Sequence, residues 1–443
     1  MKQKDNWPSR WGKADLESIL EKMAIGANLP QSDVQISGYL PISRIETIAF
    51  EKVDLTRVKY VAVDENIIEK YSLQKGDILF SHINSDKHLG KTAIFNGEVD
   101  LIHGVNLLLI RAKEGYDKNL LNYLFKHYRF QGKFIDAAQR AVNQSSINQK
   151  KLNRFEIPLI PESEQQRIVA RLDAIFGHLD VLKEKLDRIP ELLKNFRQQV
   201  LTQAVKGDLT REWREGKELG EWEETKLNDL IEFSSNGLSK RAGTIGEEVT
   251  VLRLADFKNG IRFYGNERKI ILDEKERGKY VLDFNDLLVI RVNGSVDLAG
   301  LFIHYDEIGS EEAYCDHFIR IKVKSSKLIS KFLTFITNSG EGRKYLRNSL
   351  STSAGQNTIN QKSVGNLILN LPPIQEQEEI IKQVETLFGL ADKIESQSQS
   401  LKAKIDNLPQ AILAKAFRGE LVGQDVKEYV REVEELGMVA EDL

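Results

Sequence analysis

The sequence predicts an α+β fold in which two similar mixed α/β domains alternate with two long helical regions. Three observations lead to this prediction: an internal repeat at one fixed offset, a heptad pattern of apolar residues, and short apolar segments that follow polar turns. The chain has 443 residues, of which 41% are hydrophobic, and this suits two or three domains with a core each. Because domain and helix both occur twice, we expect a pseudo-two-fold arrangement.

The repeat is clearest where each domain ends and its helix begins. The segment Ile147-Asn148-Gln149-Lys150 recurs 212 positions later as Ile359-Asn360-Gln361-Lys362. Three further matches share this offset: Glu164-Gln165 with Glu376-Gln377, Phe176-Gly177 with Phe388-Gly389, and Gly207-Asp208-Leu209 with Gly419-Glu420-Leu421. We therefore divide the chain into a first domain (1–156), a first helical spacer (157–210), a second domain (211–368), a second spacer (369–422) and an acidic tail (423–443).

Both domains are predicted to contain short strands and helices in matching places. Lys75–Ser81 and Phe284–Ile290 each contain a polar turn followed by an apolar strand. Tyr39–Ile45 resembles Thr250–Leu254, and residues 120–125 and 331–336 are predicted to be equivalent helices. Outside these landmarks the copies diverge, including in their polar loops, which is how a scaffold is adapted to a second ligand.

The spacers carry apolar residues at alternating spacings of four and three, the pattern that winds two helices around each other. The predicted seam of the first spacer comprises Ile168, Leu172, Ile175, Leu179, Leu182, Leu186 and Ile189. The predicted seam of the second comprises Ile380, Val384, Leu387, Ala391, Ile394 and Leu401, with Ser398 interrupting it. Lys206-Gly207 and Arg418-Gly419 predict the helix ends. Pro190 predicts the start of a separate helix, because proline breaks a helix interior.

Composition limits the class of protein. The single cysteine, Cys315, excludes an internal disulfide and a cysteine-rich zinc site. No apolar stretch is long enough to span a bilayer, and the N-terminus lacks the apolar segment of a signal peptide. We therefore expect a cytoplasmic protein without a membrane partner. The net charge of −3 includes a net of −5 from residue 425 onward, so the rest of the chain is slightly positive.

The sequence contains no complete catalytic motif among those that its short segments resemble. Gly90-Lys91-Thr92 resembles the end of a phosphate-binding loop, but Ser85 stands where that loop needs glycine. Leu371-Pro372-Pro373-Ile374 lacks the polar and aromatic residues of a methyltransferase motif and is better explained as a helix entrance. The seven histidines are scattered, without a metal-binding pair. We predict no catalytic residue, no metal site and no cofactor bound by this chain.

Polar residues in or near the strand-flanking loops are candidates for contacts with DNA. Arginine pairs well with guanine, and asparagine or glutamine with adenine, while hydroxyl and ammonium groups bind phosphates. The candidates in the first domain are Arg44, His82, Asn84, Lys87, Lys91, Gln144 and Ser145. Those in the second are Lys240, Arg253, Arg291, Asn293, Ser295, Gln356 and Asn357. Each could equally be an ordinary polar surface residue.

These features together resemble the specificity subunit of type I restriction-modification enzymes, over essentially the full length of the chain. The residues that carry the resemblance are Ile157–Pro161 with Glu164-Gln165, Leu371-Pro372-Pro373 with Glu376-Gln377, the heptad helices, and Ala414–Leu421. Gly355-Gln356 resembles the loop that ends a recognition domain in this family. The first domain departs from this pattern, because Gln144-Ser145-Ser146 lacks the glycine.

The resemblance implies two target recognition domains that each bind one half of a split site in double-stranded DNA. It implies that the two helices pair antiparallel and set the spacing of the half-sites. It also implies that modification subunits, two in number, dock on this chain and supply S-adenosylmethionine and adenine methylation. Restriction subunits would bring ATP, Mg²⁺ and DNA cleavage. The resemblance thus implies a non-catalytic subunit of a phage-defence system.

Two other functions stay open from the sequence. The chain could be a self-sufficient methyltransferase or nuclease, although it lacks the expected motifs. It could also be a coiled-coil scaffold with no role in DNA recognition. Incubation of the chain alone with S-adenosylmethionine and DNA would identify the first, and weak, site-independent DNA binding would favour the second.

Overall fold

The computed structural model describes residues 7–141, 144–258, 260–265, 267–307 and 311–422. The chain forms two compact units. Among the described residues, the first unit comprises 7–186 and 400–422, and the second lies within 187–399. Each long helix contributes one part to each unit. The acidic tail predicted at 423–443 lies outside the described residues.

The first domain is built on a four-stranded antiparallel sheet. Its strands follow the order Leu20–Ile25, Leu108–Ala112, Ile78–Phe80, Thr92–Ile94. The predicted strand within Lys75–Ser81 is thus a central strand, and all three of its residues are buried. Helix Lys118–Phe130 packs Leu120, Leu124 and Phe125 into the core beneath this sheet. That helix contains the predicted segment 120–125, so the prediction is confirmed.

Shorter elements complete the first domain. The remaining strands are Gly12–Asp15, Tyr39–Ile42, Lys59–Ala62, Ile83–Asn84, Gln139–Ala141, Gln144–Ser146 and Glu156–Leu159. The remaining α-helices are Glu65–Tyr71, Lys133–Ala137 and Gln149–Leu152. Short 3₁₀ helices are Leu16–Ile19, Ile45–Ile48 and Leu55–Arg57.

The second domain repeats this architecture in the same strand order. Its four-stranded sheet runs Ile231–Asn236, Phe318–Val323, Leu287–Ile290, Phe302–His304. Helix Ser330–Asn338 takes the place of the first domain's long helix and buries Phe332, Leu333 and Ile336. The same order of strands in both copies confirms the predicted duplication of a mixed α/β domain.

The other elements of the second domain are also short. Its remaining strands are Glu223–Lys226, Glu247–Leu252, Phe257–Lys258, Ile261–Arg262, Lys269–Leu272, Val292–Asn293, Glu312–Tyr314, Ser351–Ser353, Gln356–Thr358 and Ile368–Leu371. Its remaining helices are Arg211–Arg214, Leu227–Leu230, Leu254–Asp256, Glu274–Tyr280, Gly340–Asn348 and Gln361–Gly365.

The first long helix, Glu162–Lys206, and the second long helix, Ile374–Phe417, are continuous. The prediction that Pro190 starts a separate helix is therefore wrong, since Pro190 lies within the first of them. Its side chain is exposed, so the carbonyl group that it leaves unpaired can be hydrated. Both predicted ends are confirmed, because Gly207 and Gly419 adopt positive φ just beyond the last turns.

Parts of the two long helices run antiparallel within each unit. In the first unit Lys183 forms an ion pair with Asp406 at 3.1 Å, and Leu172 shares a core cluster with Phe417. In the second unit Arg197 pairs with Asp392 at 2.7 Å. Val200 and Ala204 there share a cluster with Ile380 and Val384.

The buried seam is narrower than predicted. On the first helix the buried residues recur every seven positions, at Leu172, Leu179, Leu186, Leu193 and Val200. The structure contradicts the prediction for three seam residues, because Leu182, Ile394 and Leu401 are 37%, 39% and 46% exposed. They alternate with the buried positions and lie at the edge of the helix contact, where the partner helix does not cover them.

A buried carboxylate fastens the start of each long helix to its domain. Glu164 accepts hydrogen bonds from Arg10 and from the indole of Trp11 at 3.0 Å. The repeat-related Glu376 is fully buried and accepts from Thr210 at 2.9 Å, from Trp222 at 3.0 Å and from Arg214. Gln165 and Gln377, next to them, bind backbone groups of their own domains. The repeated Glu-Gln pair is therefore structural.

The beginning and end of the described chain meet in the first unit. Val422 and Trp11 belong to one buried cluster, and Trp7 packs against it. A Cβ atom at Gly419 would lie 2.5 Å from Pro8 Cγ. Within the described residues, none of the helices combines the length and apolar character that crossing a membrane would require.

Candidate nucleic-acid interface

Each domain carries a small three-stranded sheet that collects several of the predicted DNA contacts. In the first domain Ile83–Asn84 pairs with Gln144–Ser146, which pairs with Gln139–Ala141. In the second, Val292–Asn293 pairs with Gln356–Thr358, which pairs with Ser351–Ser353. The register places Asn84 opposite Ser145 and Asn293 opposite Asn357. Residues distant in sequence are thus neighbours at the same place in both copies.

The hairpin of the second domain presents hydroxyl and amide groups to solvent. Ser351, Thr352, Ser353 and Gln356 are exposed. Ala354 and Gly355 form the turn with φ of 47° and 75°, the left-handed conformation that two-residue hairpin turns require. Thr352 Oγ1 donates to Asn357 Oδ1 at 2.8 Å across the strands. A narrow ribbon of this kind can enter the major groove of B-DNA.

The first-domain hairpin carries different chemistry. The hydroxyl of Ser145 donates to the carboxylate of Asp86, and Arg140 lies 3.9 Å from the same carboxylate. Arg140 is largely exposed. The side chain of Gln144 lies outside the described residues. A cationic hairpin in one copy and a neutral, hydroxyl-rich hairpin in the other present different groups to a ligand.

Arg44 and Arg253 occupy equivalent positions, each just before a 3₁₀ helix. The backbone amide of Arg44 donates to Thr47 Oγ1 at 2.9 Å, and that of Arg253 donates to Asp256 Oδ2 at 2.7 Å. The Asp256 carboxylate also accepts from the Arg253 guanidinium at 2.9 Å, and these hydrogen bonds raise the pKa of Arg253. Both guanidinium groups remain partly exposed, so both can approach a ligand.

Three predicted contacts have buried side chains. His82 is 5% exposed, and burial lowers its pKa to about 4, so it is uncharged at neutral pH. Ser145 is buried against Asp86. Asn357 donates to the carbonyl oxygen of Gly294 at 3.0 Å and is also buried. Ser145 and Asn357 bind groups of neighbouring loops, and burial keeps all three side chains from reaching base edges without a rearrangement.

The other predicted residues lie at or near the surface, several of them with partners. Lys91 Nζ donates to the carbonyl oxygen of Ala49 at 2.6 Å, and Lys240 Nζ binds Glu276 at 2.7 Å. Arg291 donates to the carbonyl oxygen of Asp316 at 3.1 Å. Lys87 is exposed, while Asn84, Asn293 and Ser295 are half-buried beside the small sheets. Lys87 and Gln356 are therefore the most accessible of the predicted contacts.

Arg241 and Arg268, which were not among the predicted contacts, line a cavity of about 280 Å³ together with Arg253. At the repeat offset of 212 the first domain has Leu29 and Thr56 in place of these arginines, so the repeat gave no signal for them. Cys315, Asp316 and His317 border the same cavity, with potential ligand atoms within 4.8 Å of one another. The three arginines make this cavity electrostatically unfavourable for a cation and suited to an anion.

The comparison with known proteins also detects the duplication. The type I restriction modification DNA specificity domain family matches this chain twice, at residues 8–191 and 220–403. The StySPI specificity subunit of a type I restriction enzyme from Salmonella potsdam is 45% identical over 388 residues, covering 87% of this chain and 83% of the relative. The EcoKI specificity subunit from Escherichia coli K12 is 30% identical over 390 residues, with the same coverage of both chains.

Solved structures agree on the fold. The HsdS subunit from Thermoanaerobacter tengcongensis superimposes with a TM-score of 0.58 at 17% identity, over 94% of this chain and 98% of that one. A chain from a study of complex assembly and conformational transition of the type I R-M system gives 0.59 at 17% identity, over 94% and 99% of the two chains. With its duplicated domains and paired helices, the chain belongs to the family of type I restriction-modification specificity subunits.

Proposed function

We propose that this chain recognises a bipartite, asymmetric site in double-stranded DNA for a type I restriction-modification complex and has no catalytic centre of its own. One observation carries the proposal. The same small sheet occurs in both domains, but the groups that it presents differ, with Arg140 exposed in the first copy and Thr352 exposed at the corresponding position of the second. Two copies of one scaffold with different polar surfaces suit two different half-sites.

Base recognition is assigned to the hairpins and the adjacent loops. Gln356 and the exposed hydroxyl groups of Ser351 and Ser353 can donate to and accept from base edges in the second half-site. Arg140 and Lys87 have the corresponding accessibility in the first domain. The buried Asn357 and Ser145 hold these hairpins in place, which fixes the direction in which the exposed side chains point.

Affinity is expected to come mainly from phosphate contacts and therefore to fall as salt rises. The Arg44 and Arg253 side chains are partly exposed and lie at equivalent positions of the two copies. Equivalent cations on a duplicated scaffold would hold the DNA backbone in a similar way at both half-sites. Sequence preference would then depend on the hairpins, where the copies differ.

The paired helices are proposed to fix the spacing between half-sites and to present docking surfaces for two modification subunits and for restriction subunits. Apolar side chains remain exposed on them: Val181, Leu182, Leu401 and Leu408 in the first unit, and Leu192, Leu390 and Ile394 in the second. Repeated apolar exposure on a helix surface is typical of a protein interface. S-adenosylmethionine, ATP and Mg²⁺ are assigned to these partner subunits.

Reconstitution tests this function directly. The chain should be purified with and without modification subunits, and methylated adenines should be mapped on genomic DNA. We expect methylation at one split sequence only when both components are present. Methylation of the same sites without this chain would refute the proposal, as would methyl transfer by the chain alone.

An exchange of one domain tests the division between the two copies. Replacing residues 1–156 by those of a relative should change one half of the methylated sequence and leave the other half unchanged. Arg10 and Trp11 should be retained in the hybrid, because both bind Glu164. A hybrid that alters both halves would show that each domain does not bind its own half-site.

A further inference from the structure

A cavity of about 480 Å³ lies in the second unit between helix Gly340–Asn348, the loop of Asp297 and Leu301, and Gln198 of the first long helix. Its wall includes Arg343, Lys344, Arg347 and the acidic Asp297. Lys344 pairs with Glu341 at 3.4 Å and Arg347 pairs with Asp297, so Arg343 is the cation of the wall without a carboxylate partner among the described residues. The start of helix Gly340–Asn348, which carries the positive end of the helix dipole, is part of the same wall. None of these residues was among the DNA contacts predicted from the sequence.

Arg343 is the unusual member of this wall. Its side chain is only 7% exposed, and one guanidinium nitrogen donates to the carbonyl oxygens of Val296 at 3.2 Å, Asp297 at 2.8 Å and Ala299 at 2.9 Å. The other terminal nitrogen is buried and has no hydrogen-bond partner among the described residues. The neighbouring Asp297 carboxylate binds Arg347 at 2.6 Å instead. Burial and the charge of Arg347 lower the pKa of Arg343 to about 10.

The first domain provides a comparison without this charge. Gly90 and Gly300 are equivalent, since both amides donate to the end of a central strand at 2.8 Å and both have φ near 75°. Beside Gly90 lies the ring of Phe134, whereas beside Gly300 lies the guanidinium of Arg343. An aromatic ring is thus sufficient to fill the space beside this glycine.

The first domain also has an arginine that touches the same loop, and it is neutralised. Arg129 contacts the carbonyl oxygen of Lys87 at 3.3 Å and forms an ion pair with Glu51. Arg343 contacts the equivalent loop of the second domain without an ion pair among the described residues. A buried cation that lacks a carboxylate partner is unfavourable until an anion approaches it.

The cavity adjoins the proposed DNA-binding surface. Asp297 follows the loop of Asn293 and Ser295, and Asn348 comes just before the hairpin strand Ser351–Ser353. Asn357 ties that hairpin to Gly294 in the same loop. An anion in the cavity would therefore lie beside the loop to which the hairpin is tied.

We propose that this cavity receives one phosphate of the DNA backbone at the second half-site, held by Lys344, by Arg347 and by the field of the buried Arg343. The proposal rests on the function proposed above and extends it to a specific contact. It also makes the copies unequal in electrostatics as well as in sequence preference, since Phe134 leaves the first domain without this cation.

The test uses the complex with modification subunits and a duplex that contains its methylated site. Lys344→Gln should weaken binding roughly tenfold, as expected for a charge-assisted hydrogen bond, and reduce the slope of log K against log salt by about 0.9. Asp297→Asn should strengthen binding, because it removes the one acidic group of the wall. Lys269→Gln is a matched control, since Lys269 is an exposed, ion-paired lysine of the same domain, and it should bind like the wild type.

Methylphosphonate substitution locates the phosphate. A methylphosphonate removes the charge of one phosphate. At one position in the second half-site it should weaken binding by the wild-type complex, but it should not weaken binding by the Lys344→Gln complex any further. The proposal is wrong if, at every position, the methylphosphonate weakens binding by Lys344→Gln as much as binding by the wild type. It is also wrong if Lys344→Gln binds the duplex as Lys269→Gln does. A third outcome also contradicts the proposal. Inorganic phosphate could raise the melting temperature of the wild-type complex but not of Lys344→Gln, while no methylphosphonate position distinguishes the two complexes in DNA binding. The cavity would then bind a free anion and not a phosphate of the DNA. A wild-type complex without site-specific binding would instead refute the proposed function, and this inference with it.

Discussion

Replacement of Glu376 by glutamine should destabilise the second unit, because this carboxylate is fully buried and bound by three donors. Thr210 donates at 2.9 Å and Trp222 at 3.0 Å, and Arg214 forms the ion pair. Glutamine keeps one acceptor oxygen but replaces the other by an NH₂ group, which would face a donor. It also leaves the guanidinium of Arg214 without its counter-ion.

The expected loss follows from these contacts. Breaking a buried ion pair from one side typically costs about 3–5 kcal/mol, but Arg214 is 24% exposed and can be partly hydrated. The glutamine oxygen also retains part of the hydrogen bonding. We therefore expect the free energy of unfolding of the second unit to fall by about 2–4 kcal/mol. Glu164→Gln should have a smaller effect on the first unit, because Glu164 is less buried and Arg10 is more exposed than Arg214.

Urea unfolding followed by tryptophan fluorescence separates these effects. The four tryptophans are shared equally, with Trp7 and Trp11 in the first unit and Trp213 and Trp222 in the second. Phenylalanine at 7 and 11 leaves a reporter of the second unit alone. This matters because a chain of two units need not unfold in a single transition.

A neighbouring residue supplies the control. Glu378 is exposed on the same helix, so Glu378→Gln should change the free energy of unfolding by less than about 0.5 kcal/mol. A loss below about 1 kcal/mol for Glu376→Gln, with an unchanged urea dependence, would contradict the reasoning. Such a result would mean that the hydrogen-bonded Glu376 carboxylate contributes no more to the free energy of unfolding than an exposed carboxylate does.

Three further predictions concern pH, the hairpin and the helices. Burial lowers the pKa of both His82 and His103 from 6.5 to about 4. Between these pH values the unfolded chain binds more protons than the folded chain, so the first unit should lose stability as the pH falls from 6.5 to 4. His103→Gln should reduce this pH dependence of the free energy of unfolding, measured by urea melts at several pH values. Gly355→Val should impair methylation of the second half-site, since a β-branched residue is strained at φ of 75°; unchanged methylation would argue against the hairpin as a contact. The Leu401→Asp, Leu408→Asp double variant should abolish co-purification with the modification subunits while thermal melting stays near that of the wild type, because both side chains are partly exposed.

The repeat predicted the fold well because it reports buried contacts. Glu164 and Glu376 recur since each binds a tryptophan and an arginine of its own unit. The seam was predicted less well. Strict heptad spacing identified Leu182 together with Leu186, but only Leu186 is buried. Which positions of a heptad are covered depends on how closely the partner helix approaches, and spacing alone does not specify that distance.

The candidate contacts illustrate a different limit. His82, Ser145 and Asn357 are polar residues in loops, as DNA contacts are, but the fold uses them as internal hydrogen-bonding or packing groups. A sequence shows which residues can form hydrogen bonds, whereas the partner depends on which strands become neighbours. The pairing of Val292–Asn293 with Gln356–Thr358 joins segments more than 60 residues apart, and no local pattern predicts it.

The duplication explains why conserved packing and divergent chemistry lie so close together. At Gly90 and Gly300 the backbone is the same, with equal φ and equivalent hydrogen bonds, yet the adjoining side chain is an aromatic ring in one copy and a guanidinium in the other. The backbone hydrogen bond of the glycine is what both copies share, so the side chain beside it can differ, although Arg343 also donates to three carbonyl groups of its own loop. The side chain at such a position is free to differ according to the ligand that each domain binds. We therefore expect differences between the half-sites to depend first on positions where the two copies share a backbone conformation but differ in side-chain charge.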